Sequence, residues 1–205
     1  MSRRTTLRTR LAALAAAAVT LAGGALVAAP AEAVTVDCGV RSTAQTFARW
    51  GDTNQYFVVQ DGRFESGAAS WVLTGGSTTV LGGETFNAVA GTNLRSLWVP
   101  ALGTATSPTT CVASNEDSLR FFYKAPGIPF STLHVSIRVT SGVNVATNDL
   151  DIDGSRYGWA PSQRIMLPDI RDASGRQYVT VTFSQRGLPG SWNVDDVQID
   201  PWRSL

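Results

Sequence analysis

The chain has 205 residues, with 17 basic against 16 acidic side chains, a formal charge of +1, and 43% hydrophobic residues. That balance excludes the clustered positive field that nucleic-acid binding requires. Two cysteines and a single histidine exclude a cysteine–histidine metal cage.

Arg3, Arg4, Arg8 and Arg10 open the chain, a mostly apolar run extends from Leu11 to Ala29, and Ala31-Glu32-Ala33 follows. A basic head, an apolar middle and a small-residue site predict a secretory signal peptide over residues 1–33, cleaved before Val34. The run is about long enough to span a bilayer, but it is alanine-rich, contains Gly23-Gly24 and ends in a cleavage site. "SRRTTL" also hints at twin-arginine export. Cleavage removes four arginines and Glu32, which turns +1 into −2 for residues 34–205. Nothing after residue 33 approaches a membrane span, so the expectation is one secreted, extracellular domain, 34–205. Cys38 and Cys111 both lie in it, and an even pair outside the cell is most simply a disulfide.

The rest of the chain reads as strands. "QYFVVQDGRFESG", "SWVLTGGSTTVLGG", "LRSLWVPALG" and "LRFFYKAPG" are short aromatic or β-branched runs punctuated by turn residues. "STLHVSIRVTSG" alternates, with Leu133, Val135, Ile137 and Val139 on one face and His134, Ser136, Arg138 and Thr140 on the other. "RQYVTVTFSQRG" repeats the pattern with Val179, Val181 and Phe183 facing inward. The 19 glycines and 9 prolines suit tight turns better than long helices. The predicted fold is all-β, a single antiparallel β-sandwich of the jelly-roll kind.

"NDLDIDG" opens like an EF-hand loop, with Asp149, Asp151 and Asp153 before Gly154. Leu150 and Ile152 alternate with the aspartates, however, and loop position 12 is Ala160 where a bidentate carboxylate is needed. The run is predicted to be the solvent face of a hairpin strand, entered through the turn "TSGVN".

Two stretches, "GRFESGAASWVLTGG" and "SWNVDDVQIDPW", carry a strand beginning G-x-F-E-x-G and a closing strand W-x-V-D-D-V-x-I-D. They resemble carbohydrate-binding modules with the galactose-binding-like jelly-roll fold. In such modules the first and last strands lie side by side, and acidic side chains from each often hold a structural calcium. The resemblance carries this metal role onto Glu65, Asp195 and Asp196. "FARWGDTNQYFVV", "TATSPTTCV", "LRFFYKA" and "WAPSQRIML", in this order, are similar to a family of uncharacterised secreted actinobacterial jelly-roll proteins, over roughly Cys38 to Pro201. That likeness implies fold and export and no activity. Independently, the adjacent carboxylates of Asp195 and Asp196 repel unless a cation, backbone donors or an arginine such as Arg63 compensates them. Calcium would suit such hard oxygen ligands.

Sugar binding needs exposed aromatic planes with polar groups beside them. Trp71 and Trp192 sit inside the jelly-roll motifs and are expected in the core. In "SLWVP", alternation with Leu97 and Val99 turns Trp98 outward, and Trp159 precedes Ala-Pro in a strand-edge context. Trp98 and Trp159 are therefore the candidate stacking platforms, and Trp50 is undetermined. Catalysis has little support. His134 is predicted on a solvent face, and no nucleophile elbow, zinc-protease motif or phosphate loop occurs. Asp195 and Asp196, as adjacent strand residues, should point to opposite faces, a poor geometry for glycoside hydrolysis. The sequence thus predicts a secreted, non-catalytic module for polysaccharide or cell-wall glycan. The alternative is a structural or protein-interaction domain of the cell envelope.

Overall fold

The computed structural model describes residues 38–113, 115–173 and 175–200. The predicted signal peptide lies outside these residues. In chain order the strands are β1 (Phe57–Val58), β2 (Val72–Thr74), β3 (Thr78–Leu81), β4 (Arg95–Val99), β5 (Thr104–Thr106), β6 (Thr110–Val112) and β7 (Ser118–Pro126). They continue as β8 (Ser131–Ser141), β9 (Asn144–Asp153), β10 (Tyr157–Pro161), β11 (Ile165–Met166), β12 (Gln177–Gly187) and β13 (Trp192–Asp200). One 3-10 turn, Ala48–Trp50, is the only helical element among the described residues.

The strands form two antiparallel sheets. Sheet one has the order β10-β7-β13-β4-β3, with β1 beside the end of β13 and β11 beside the start of β7. Sheet two has the order β2-β5-β12-β8-β9, with β6 also against β12. The fold is an all-β antiparallel sandwich, as expected, and its first strand, β1, pairs with its last, β13.

Period-two alternation builds the core. Leu133, Val135, Ile137 and Val139 of β8, with Val179, Val181 and Phe183 of β12, are buried against Leu97 and Val99, Leu119 and Phe121, and Val194, Val197 and Ile199 from sheet one. Each such side chain contributes about 1.5–3 kcal/mol on full burial. Aromatic packing completes this layer. Trp71 stacks on Phe183 at 6.1 Å between centroids and meets the edge of Phe64 at 5.1 Å. Trp71 and Trp192 are both core residues, as their positions in the motifs suggested.

A second, smaller apolar cluster lies on the outer face of sheet one. Phe122, pointing outward from β7, packs with Phe47 and Tyr56, and Trp50, Phe86, Ala88 and Trp159 pack around them. Arg120, also outward, lies over the Phe47 ring at 4.1 Å, and its Nη1 is 2.7 Å from Asp52 Oδ2. One half of this face is thereby roofed by the chain that precedes β1.

Two expectations are corrected. The G-x-F-E-x-G stretch is a series of turns, where a strand was predicted. The N–H groups of Gly62, Phe64 and Gly67 donate to the carbonyls of Val59, Asp61 and Phe64. Asp61 and Phe64 adopt positive φ of 55° and 57°, which no strand tolerates. Gly62 is required there, because a Cβ would lie 2.9 Å from the carbonyl oxygens of Val197 and Val59. His134 faces away from the core as predicted but is only 6% exposed. Its Nδ1 lies 2.6 Å from Asp151 Oδ1, and its Nε2 is 3.9 Å from Asp149 Oδ1. The two aspartates of the neighbouring strand enclose it. That strand, β9, pairs with β8 along its full length and alternates in exposure, so the D-x-D-x-D-G run is a hairpin strand and its EF-hand likeness is coincidental.

Candidate functional site

The open half of the outer face of sheet one carries the strongest constellation. On β4, Leu97 and Val99 enter the core, which turns Trp98 outward. Asn193 of β13 pairs with Trp98, Lys124 of β7 pairs with Asn193, and Trp159 of β10 pairs with Lys124. Residues in register point to the same face. Trp98, Asn193, Lys124 and Trp159 therefore form one row across four strands, extended past Trp98 by Thr78. At about 4.8 Å per strand, the two tryptophans stand on the order of 14 Å apart.

Both rings are half-buried. Trp159 packs against the second aromatic cluster. The Asn193 amide donates to Ser96 Oγ at 3.0 Å, so its carbonyl oxygen is oriented and accepts no hydrogen bond among the described residues. Lys124 Nζ lies 5.5 Å from the centroid of Tyr157, two residues before Trp159 and exposed. Two aromatic rings with an amide and an ammonium between them can stack sugar rings and bond their hydroxyls. Both sequence-predicted tryptophans are thus brought to one face. Asn193 and Lys124 were missed in that role, although Lys124 is the only lysine in the sequence. Trp50, the undetermined ring, belongs to the second cluster.

A buried carboxylate cluster lies farther along β13. Register shifts between Asp195 and Gln198, and Asp196 has a positive φ of 46°. This bulge breaks the expected opposition of the two side chains, and both are buried, at 1% and 3% exposure. Asp195 Oδ2 accepts the Glu84 N–H at 2.9 Å, and its Oδ1 accepts the Asp196 N–H at 2.9 Å. Glu84, which sequence reasoning did not single out, is also buried. Its carboxylate accepts the N–H groups of Phe86 and Ala88 and the amide of Asn93. Glu65 Oε1 accepts the N–H groups of Leu94 at 2.9 Å and Arg95 at 3.0 Å. Asp196 Oδ1 faces Arg63 Nε at 3.5 Å.

Burial, reinforced by the neighbouring Asp196 carboxylate, pushes Asp195 up to about 8. Burial also pushes Asp196 up to about 7, against the opposing pull of Arg63. Calcium takes six to eight oxygen ligands. Here both oxygens of Asp195 hold backbone donors and Arg63 supplies a positive charge to Asp196. Among the described residues no group of three or more histidine, cysteine, aspartate or glutamate side chains is arranged to hold a metal ion. The three predicted ligands converge on one region, where their carboxylates clasp the 84–95 segment through backbone N–H groups or face Arg63.

Cys38 and Cys111 are joined in a disulfide. Arg41 reinforces it, donating to the Cys111 carbonyl and pairing with Glu116 at 2.7 Å. No helix among the described residues is long and apolar enough to cross a membrane.

No protein-family model matches the sequence, and no curated protein matches it. Among solved structures the chain is similar to the module TmCBM61, in complex with β-1,4-galactotriose, at 13% identity and a TM-score of 0.47, covering 69% of this chain and 96% of that one. It is similar to the C-terminal family 22 carbohydrate-binding module of Clostridium thermocellum Xyn10B at 15% identity and a TM-score of 0.39, covering 68% and 90%. It is also similar to the K3 cleaved adhesin domain of Lys-gingipain from Porphyromonas gingivalis, at 19% identity and a TM-score of 0.41, covering 68% and 97%. Likeness at these levels assigns no ligand to the chain.

Proposed function

We propose that the chain is a secreted, non-catalytic glycan-binding module whose platform is the open outer face of sheet one. The observation that carries this reading is the register row Trp98–Asn193–Lys124–Trp159. A tryptophan ring presents an apolar plane to the face of a pyranose, and the groups between the rings meet its hydroxyls. The span exceeds a single sugar ring, which suits an oligosaccharide or polymer laid across the strands. The Cys38–Cys111 bond supports export, since such bonds persist in oxidising compartments. His134 enclosed by two aspartates and the buried Asp195–Asp196 pair support binding without chemistry. The test is binding of the secreted protein to an array of plant and cell-wall polysaccharides, with Trp98→Ala and Trp159→Ala in parallel.

One observation favours a second reading, a protein-interaction domain of the cell envelope. Phe130, 75% exposed, and Leu188, also exposed, adjoin through a hydrogen bond from the Leu188 N–H to the Phe130 carbonyl at 2.9 Å. Exposed apolar side chains grouped at one end of a sandwich suit a protein contact. On that reading Phe130→Ser abolishes partner capture and the tryptophan changes do not.

A further inference from the structure

The row has one charged member, and its chemistry narrows the ligand. Lys124 sits between Asn193 and Trp159, with its ammonium beside the Tyr157 ring. Among the described residues it forms no ion pair. The outward carboxylate of β13 nearest the row, Asp195, is buried and holds the N–H groups of Glu84 and Asp196. Asp52, farther along the same face, is bound to Arg120 at 2.7 Å. Asp200 is bound to Arg164 at 3.2 Å. The acidic side chains named here are thus answered by other groups, and within the row the lysine presents a charge with no ion-pair partner among the described residues.

We propose that this platform selects anionic glycans, polymers bearing a carboxylate on the sugar ring, with Lys124 as the specificity-determining residue. The proposal rests on the glycan-binding reading above. Stacking on Trp98 and Trp159 supplies contact that any pyranose can make, and Lys124 adds an ion-paired hydrogen bond that needs a carboxylate on the sugar. A half-exposed ammonium contributes modestly, so the preference is a matter of fold-change and not of all or nothing.

The experiment compares polygalacturonate with the same polymer after full methyl esterification, which keeps the backbone and removes the charge. Binding of the secreted protein is measured at low and high salt for wild type, Lys124→Gln, Lys124→Arg and Trp98→Ala, with melting temperatures as a check on folding. The expected result is a roughly two- to fivefold preference for the acid form at low salt. High salt and Lys124→Gln should each remove the preference, Lys124→Arg should keep it, and Trp98→Ala should weaken both polymers. Equal binding of acid and ester, unchanged by Lys124→Gln and lost in Trp98→Ala, overturns the anionic specificity and leaves the module reading in place. Failure to bind any polysaccharide on the wider array overturns both.

Discussion

Asp195 Oδ2 accepts the backbone N–H of Glu84 across 111 residues of sequence, at 2.9 Å and out of contact with water. Glu84 in turn gathers the N–H groups of Phe86 and Ala88, and Phe86 packs edge-on against Trp50 at 5.0 Å. One side chain on the last strand therefore anchors a loop and, through it, the aromatic roof. Asp195→Ala strands two backbone donors, the N–H groups of Glu84 and Asp196, and should cost about 1–3 kcal/mol for each. Asp195→Asn retains an acceptor and should cost less. Urea titration of the three proteins decides it; equal stabilities would show that the loop is held by other contacts.

The calcium proposal for Glu65, Asp195 and Asp196 is tested by chelation. With Asp195 already holding two backbone donors and Arg63 beside Asp196, EDTA should leave the melting temperature unchanged. A drop of several degrees, restored by added calcium, would reinstate an ion at this cluster.

How far this region could be read from sequence depended on period two. Alternation turned Trp98 outward and placed Val179, Val181 and Phe183 in the core, because one buried face dictates every second residue of a regular strand. The same rule failed at Asp196, where a bulge with positive φ lets both carboxylates be buried together, and at Glu65, where turns replace the motif strand. Lys124 and Asn193 could be placed on an outward face, but their alignment with Trp159 is a matter of register between distant strands, which no local pattern carries. Glu84 follows Gly82-Gly83 in what reads as an ordinary turn, and only the fold brings it to Asp195.

The disulfide links positions 73 residues apart, so it restricts the unfolded chain by on the order of 4 kcal/mol in the chain-entropy model. Thiol labelling of the denatured, unreduced protein should find no free cysteine. Reduction should lower the melting temperature while leaving the sandwich folded, since the main core includes neither cysteine. Labelling of two thiols would contradict the pairing.

Acid stability should depend on Asp52. Burial alone would raise its pKa, but hydrogen bonds from Tyr56 and Arg120 outweigh it and hold the carboxyl below the usual range. A depressed carboxyl contributes stability above its unfolded value of about 3.8, and that contribution is lost as pH falls through the folded value. Asp52→Asn should therefore be less stable than wild type at neutral pH, and the two melting curves should converge in acid. A difference that persists unchanged at pH 2 would show that the effect is not electrostatic.

Trp98 and Trp159 are proposed to serve one platform. A half-buried ring contributes less to stability than a core ring, so Trp98→Ala should lower the melting temperature only modestly, and Trp159, packed on the second cluster, should cost somewhat more. The direct measurement is the affinity of wild type and of each single variant for whichever polysaccharide binds best on the array. Each variant should lose at least about tenfold, equivalent to roughly 1.4 kcal/mol of binding free energy, while remaining folded. Glycan binding that survives both substitutions would place the site elsewhere on the molecule and contradict the account.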